Sequence, residues 1–221
     1  MQSAVVIFPG SNCDRDLAEA LSMKTTSKCK MLWHKETTLP NDLDIIFIPG
    51  GFSFGDYLRC GAIAANSPIM QSILDFANKG GYIVGICNGF QVLTEAGLLK
   101  GTLLRNAKLK FVCKQQELIV NNCNSIITKY FSYKEQLKLP IAHHDGNYFA
   151  EPDILNALEE NGQVLLRYKD NPNGSKNDIA GIMSENKRIV GLMPHPERAI
   201  NDDFGSSDGS KIFRSLIDMF D

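Results

Sequence analysis

The sequence predicts an α/β fold: a doubly wound, mostly parallel sheet with flanking helices and a β-rich antiparallel addition late in the chain. Three observations point there. Strand-like and helix-like segments alternate through the first half of the sequence. The run 44–48 is nearly all apolar, as expected where both faces of a parallel sheet are covered. Past position 107 helix-like segments thin out and strand-like runs follow one another.

The elements follow in order. A strand is expected over 4–8, then a turn at Pro9-Gly10-Ser11-Asn12. Positions 14–23 read as a helix with Leu17, Ala20 and Leu21 on its inner face, the spacing of an amphipathic helix. Strands follow over 29–32 and 44–48, the second running into the glycine-rich loop 49–56. Ser67-Pro68 looks like a helix start, with serine as cap and proline at the first helical position. That helix runs to about Asn78 and stops at Gly80-Gly81. A buried strand over 81–84 precedes a helix over 90–96 that ends at Gly97. Positions 108–113 and 117–128 read as strands joined by a short turn, 140–143 as an edge strand, 152–160 as a helix and 163–168 as a strand. The stretch 170–175, Asp-Asn-Pro-Asn-Gly-Ser, is dense in turn formers. Positions 179–183 and 188–193 flank a turn at Glu185-Asn186-Lys187 and read as a hairpin; 211–220 closes as an amphipathic helix.

Composition narrows the function classes. A length of 221 residues with 43% hydrophobic and 22% charged residues suits one large α/β domain. A formal net charge of −2 gives no reason to expect nucleic acid or an anionic membrane as the main partner. No long apolar run predicts a membrane-spanning helix. The first eight residues carry no basic region and run straight into a strand, so the expected location is the cytoplasm. None of the six cysteines forms a C-x-x-C pair, which argues against a structural zinc site and for free thiols.

The most informative stretch is Gly85-Ile86-Cys87-Asn88-Gly89, between a predicted strand and a predicted helix. It has the form of a nucleophile elbow, G-x-C-x-G. A sharp strand-to-helix turn forces its central residue into strained geometry and demands small neighbours. The cysteine then sits at a helix N-terminus, where unpaired N–H groups favour a thiolate. The same pentapeptide also suits a buried small residue in an ordinary β-α turn.

A cysteine nucleophile needs a base, and the base needs an orienting group. His195 lies in Met193-Pro194-His195-Pro196-Glu197, just past a strand end, with prolines fixing the backbone on both sides. In an extended segment residues two apart project to one side, so Glu197 can reach the imidazole. A plain proline-rich turn fits the same residues. Metal binding by the H-x-E pair lacks a third nearby ligand, so no metal is expected.

Acyl transfer also needs an oxyanion hole. The Asn88 amide, directly after the nucleophile, is one candidate donor; the amides of Gly51 and Phe52, in the glycine turn after a neighbouring strand, are the other. His143-His144-Asp145 stays open as an alternative base, a partner contact or a polar edge. Cys13, in a turn before a helix, reads as a packed thiol or, as the lesser alternative, a reactive one, and His34 has no distinctive neighbours.

With elbow, glycine turn and P-H-P-E assembled, the chain resembles the class I (triad) glutamine amidotransferases, whose fold is flavodoxin-like. More narrowly it is similar to the glutaminase subunits of phosphoribosylformylglycinamidine synthases. The matching runs are PGSNCDRD from Pro9, GGFSFGDYLRCGAIAA from Gly50, GICNGFQVLTEAGLL from Gly85, PIAHHDG from Pro140, RYKDNPNGS from Arg167, DIAGI from Asp178 and GLMPHPERA from Gly191. They span essentially the whole chain in order, which implies one glutamine amidotransferase domain over 1–221.

The resemblance implies a division of labour. Cys87 attacks the side-chain amide of L-glutamine, His195 relays protons and Glu197 orients it. Gln91 helps shape the glutamine pocket. Ammonia passes to a large synthetase subunit that uses ATP and magnesium to turn formylglycinamide ribonucleotide into its amidine in purine biosynthesis. A small third subunit helps to assemble the complex. No G-x-x-x-x-G-K-[ST] loop is present, consistent with ATP chemistry lying on the partner. The chain departs from the family pattern at Phe54, Cys60 and His144-Asp145, positions that touch the subunit interface and the role of His143. Two other readings are a cysteine hydrolase or peptidase of a related elbow-bearing fold, and a catalytically silent subunit.

Overall fold

The computed structural model describes residues 1–22 and 29–220. The chain opens with β1 (Ser3–Ile7), buried over all but its last residue, and α1 (Asp14–Ser22). Leu17, Ala20 and Leu21 of α1 are buried, as the spacing predicts. Met23, expected as that helix's last residue, lies outside the described residues. β2 (Lys30–Trp33) and the fully buried β3 (Ile45–Ile48) come next, then the short α2 (Ala62–Ala65) and the longer α3 (Pro68–Asn78). β4 (Tyr82–Ile86) turns directly into α4 (Asn88–Glu95), all but its last residue buried.

The second half is strand-rich: β5 (Thr102–Leu104), β6 (Val112–Val120), β7 (Gln136–His143) and β8 (Asn147–Phe149). Then come α5 (Pro152–Glu160), β9 (Val164–Tyr168), the hairpin of β10 (Ile179–Met183) and β11 (Ile189–Leu192), and α6 (Asp208–Ile217). Among the described residues the main sheet has the order β2-β1-β3-β4-β11-β10-β9-β6-β7. The strands β2, β1, β3, β4 and β11 run parallel to one another. From β10 onward every pairing is antiparallel. The expected α/β class therefore stands, with the antiparallel strands continuing the sheet that the parallel ones begin.

This order matters for chemistry. β3, β4 and β11 are neighbours, and their carboxyl ends open on one side of the sheet, where ligands of such sheets bind. β11 comes last in sequence yet sits mid-sheet, registered Ile189↔Ile83 to Leu192↔Ile86 against β4. α4 packs on β3, β4 and β11, and the turn 196–198 is held between α1 and α6.

Three expectations are corrected. Segments 108–113 and 117–128 are not two strands with a turn between them. A single strand, β6, runs straight through Lys114-Gln115-Gln116 and pairs with β7 from Val112↔His143 to Ile119↔Gln136. The polar run misleads because one face of this strand meets solvent, while Gln116 turns inward and donates to the Asp170 carbonyl at 3.1 Å. The edge strand expected at 140–143 begins earlier, at Gln136. A second small sheet pairs β5 with β8, segments too short to announce themselves by alternation.

The third correction concerns Ser67. It occupies the cap position before Pro68, but its hydroxyl makes no capping bond and is buried without a partner. The amides it would reach are already taken: Ile69 N–H donates to the His34 carbonyl at 3.1 Å and Met70 N–H to the Ser67 carbonyl at 2.9 Å. A working cap is worth about 1 kcal/mol, whereas an unpaired buried hydroxyl costs stability. Ser67→Ala is therefore expected to leave the urea midpoint unchanged or raise it. A loss of about 1 kcal/mol or more would show that the hydroxyl caps α3 after all.

Candidate active site

Cys87 sits between β4 and α4 with φ 50° and ψ −106°, a backbone strained for a residue with a side chain. Packing imposes that geometry. A Cβ at position 89 would lie 1.9 Å from the Ile48 carbonyl oxygen, and one at 85 would lie 2.6 Å from the Gly89 oxygen. Only glycine lets α4 approach the sheet this closely, which is the physical content of the G-x-C-x-G pattern. The Cys87 amide donates to the Leu192 carbonyl at 2.6 Å, tying the elbow to the end of β11. The thiol points toward the Ala142 carbonyl, 3.7 Å away, and the residue is only 5% exposed.

The candidate base follows the end of β11. His195 and Glu197 are both buried, with Nδ1 and Oε1 2.6 Å apart. Burial alone would push the imidazole down; the Glu197 carboxylate outweighs it, helped by the sulfurs of Cys87 and Cys13, and holds His195 well above its ordinary value. Pro194 and Pro196 flank the ring, and the His195 amide donates to the Pro140 carbonyl at 2.8 Å. Nucleophile and base meet at Gly50. A Cβ there would be 2.7 Å from His195 Cε1 and 3.3 Å from Cys87 Cβ. The three residues singled out as a triad thus converge where β3, β4 and β11 end.

The candidate oxyanion donors lie on the same rim. As the first residue of α4, Asn88 has an amide with no intrahelical acceptor. Among the described residues the amides of Gly51 and Phe52 donate to no protein acceptor. The Asn88 side chain braces the rim: Oδ1 accepts from Ser53 N–H at 3.1 Å, and Nδ2 donates to Asp56 Oδ1 at 3.1 Å and Gln91 Oε1 at 2.8 Å. Gln91 is buried and its Nε2 donates to the Asp145 carbonyl at 2.6 Å. It therefore locks the elbow to the β7–β8 turn, with both ends of its amide engaged by protein.

The histidine pair divides. His144 lies near the surface, its Nδ1 2.6 Å from Arg105 Nη1. His143 is buried, its Nδ1 3.1 Å from Asn106 Oδ1 and its Nε2 3.5 Å from Asn173 Nδ2. Because the Asn173 amide group donates, Nε2 accepts and Nδ1 carries the proton. Burial, with the nearby charge of His195, pushes His143 down to about 4. It stands as a neutral strut between Asn106 and Asn173. Asn173 also donates to the Gly146 carbonyl at 2.7 Å, and Ser175 Oγ to Asn173 Oδ1 at 2.8 Å. The turn-rich 170–175 motif is thus a polar buttress under the turn that faces Cys87.

A family model for the CobB/CobQ-like glutamine amidotransferase domain matches residues 1–220. The phosphoribosylformylglycinamidine synthase subunit PurQ of Roseobacter denitrificans is 56% identical over 216 residues, covering 98% of this chain and 97% of the relative. That of Rhizobium etli is 52% identical over 221 residues, covering 99% of each. The chain belongs to the PurQ family of glutamine amidotransferases. A solved structure of PurLQS from Thermotoga maritima superposes with a TM-score of 0.91 at 42% identity, over 100% of this chain and 99% of that one. A glutamine amidotransferase from Thermotoga maritima, at 13% identity and a TM-score of 0.65 over 99% of this chain and 97% of that one, shares the fold.

Within this PurQ-family site the sequence leaves some residues unannounced. Cys60 donates to Asp145 Oδ2 at 2.8 Å beside Asp56, so two carboxylates gather next to the elbow. Burial and the Asp145 charge push Asp56 up, against hydrogen bonds from Cys60 and Asn88. Cys13 accepts from Arg198 Nη2 at 3.2 Å, and Arg198 Nε pairs with Asp16 at 3.0 Å. Nothing in the spacing of 13, 16 and 198 hints that they meet.

The His143 strut makes a pH prediction. Its folded value lies below that of a free imidazole, so the unfolded chain takes up the proton first. The stability this strut contributes is intact above pH about 6.5 and drains away as pH falls toward about 4. At 1.36 kcal/mol per unit the loss is roughly 3 kcal/mol. Unfolding free energies of wild type and His143→Gln are expected to converge on acidification through this window. Parallel curves would mean that His143 is not buried neutral.

Proposed function

We propose that this chain is the glutaminase subunit of a phosphoribosylformylglycinamidine synthase. It releases ammonia from L-glutamine through Cys87, His195 and Glu197. The observation that carries the reading is the strained cysteine elbow beside a buried 2.6 Å His–Glu pair, set at the ends of adjacent parallel strands in a chain of the PurQ family. Residues 1–221 act as one catalytic domain.

The proposed steps are these. His195 takes the thiol proton, and the Cys87 sulfur attacks the carboxamide carbon. The Asn88 amide and the amides of Gly51 and Phe52 receive the developing oxyanion. Glu197 stabilises the imidazolium and fixes its orientation. Collapse expels ammonia with the proton from His195, leaving a γ-glutamyl thioester on Cys87. His195 then activates water, and glutamate leaves.

Substrate recognition is assigned to the acidic wall. Asp56 and Asp145 flank Cys60 and are wired to Asn88 and Gln91 of the elbow. A free amino acid brings an α-ammonium, which two clustered carboxylates would neutralise. Asp145→Asn is expected to raise KM for glutamine about 10-fold, near 1.4 kcal/mol, with kcat changed far less. An equal fall in kcat at constant KM would place Asp145 in the chemical step instead.

The partners are a large synthetase subunit, which supplies the ATP and magnesium chemistry, and a small third subunit. The complex works in the cytoplasm. The loop beside the site supports a docking face: Tyr57 and Leu58 are 74% and 93% exposed, and Phe52 and Phe111 form a half-exposed aromatic pair with centroids 6.3 Å apart. No helix of the described residues is long and apolar enough to cross a membrane.

The decisive test uses the assembled complex. Cys87→Ala is expected to abolish glutamine-dependent amidine synthesis while ammonia-dependent synthesis survives. Equal loss of both would make Cys87 structural. Failure to release glutamate from glutamine with cognate partners present would favour a silent subunit.

A further inference from the structure

The H-x-E pair offers a metal only two donors in sequence, but the fold supplies a third. Cys13, in the turn before α1, brings its sulfur to a spot where one donor atom each from Cys13, His195 and Glu197 lie within 4.8 Å of one another. All three residues are buried, and among the described residues this is the one such cluster. Two of its polar atoms, His195 Nε2 and Glu197 Oε2, are buried without a hydrogen-bond partner.

We propose that Cys13, His195 and Glu197 form an inhibitory site for a thiophilic divalent cation, with Zn²⁺ as the best fit. The inference rests on the triad reading for its consequence, though not for the binding itself. A sulfur, an imidazole nitrogen and a carboxylate oxygen are the donor set zinc prefers. Zinc holds such ligands at about 2.0–2.3 Å in a tetrahedron, so two of them stand roughly 3.3–3.6 Å apart. Closing the cluster therefore takes movements of a few tenths of an ångström to about an ångström. A water completes the tetrahedron.

Access and charge also suit a cation. An open cleft lined by Asp16, Glu19 and Arg198 has one of the three ligands, Glu197, in its wall. Its mouth carries carboxylates that attract the ion. Arg198, itself paired with Asp16, donates to the Cys13 sulfur and so holds that sulfur at the cluster. On binding, the Cys13 S–H bond is replaced by a sulfur–zinc bond and the proton leaves to solvent. The ion also takes the place of the proton shared by His195 and Glu197. With the ion on Nδ1, the imidazole loses the Glu197 carboxylate that stabilises its cation, so Nε2 becomes too weak a base for the Cys87 proton; occupancy switches the glutaminase off and chelation restores it.

The test separates binding from inhibition. Zn²⁺ affinity is measured on the full chain by competition with a chromophoric chelator, in a Cys87→Ala background that removes the competing nucleophile sulfur. One tight site per chain is expected. Cys13→Ala and, independently, Glu197→Gln are each expected to weaken it at least 10-fold, with folding checked by circular dichroism. Undiminished binding in both variants would overturn the site and point to Cys113 or Cys123. In the assembled complex with Cys87 intact, Zn²⁺ is expected to block glutamate release reversibly. Cys13→Ser, normalised to its own metal-free rate, should need at least 10-fold more zinc. Cys13-dependent binding without inhibition would overturn the switch. If the complex releases no glutamate without metal, the glutaminase reading fails while the binding result still decides the site.

Discussion

The hydrogen bond from the Cys87 amide to the Leu192 carbonyl joins the two halves of the active site. On one side is the elbow, built from a local strand–turn–helix sequence. On the other is the end of β11, which reaches the middle of the sheet only after the antiparallel strands have been laid down. Each half alone has the residues but not the geometry. The elbow's positive φ persists because α4 is pressed onto β3, β4 and β11, so the strain at Cys87 is held by the core and not by the loop itself. Whatever loosens β11 from β4 therefore moves His195 and relaxes Cys87 together.

Two buried histidines show how partners alone set charge. His143 and His195 share a region of low exposure, and burial disfavours the cation in both. His143 faces the amide groups of Asn106 and Asn173, which are content with a neutral ring. His195 faces a carboxylate, which is not. A buried charge without its partner costs roughly 3–5 kcal/mol, so His195 and Glu197 are kept as a pair or not at all. The proximity of the charged ring further disfavours a proton on its neighbour. Of the two, His195 is the candidate base, and it lies with Cys87 beside Gly50.

Much of this is legible in the sequence, for identifiable reasons. The G-x-C-x-G turn, the P-H-P-E segment and the strand at 44–48 each carry a local signature: small residues at a close approach, prolines around a fixed ring, an apolar run between covered faces. What cannot be read is long-range. Cys13 and Arg198 meet across the fold because α1 and the 196–198 turn pack together, and no periodicity encodes that contact. Composition divides β6 in two at its polar stretch, whereas pairing to β7 decides its length. Local preference gives Ser67 a capping role, yet the carbonyls of His34 and Ser67 already claim the amides. The 170–175 motif reads as turn chemistry, and its use as a buttress for His143 emerges only in three dimensions.

The same packing logic explains why the site is closed. Cys87 and His195 are almost inaccessible, while the adjoining loop holds Phe54, Asp56 and Leu58 at positive φ. Residues with side chains in that region store energy that a rearrangement can release. Asp56 also carries a hydrogen bond to Asn88, next to the nucleophile, so the loop cannot move without touching the elbow. Tyr57 and Leu58, the most exposed apolar residues of this loop, are the ones a partner would grip. Burying them would supply free energy at the point where strained backbone meets the oxyanion rim. The exposed apolar tip and the strained backbone are thus tied to the elbow through one hydrogen bond, from Asn88 to Asp56.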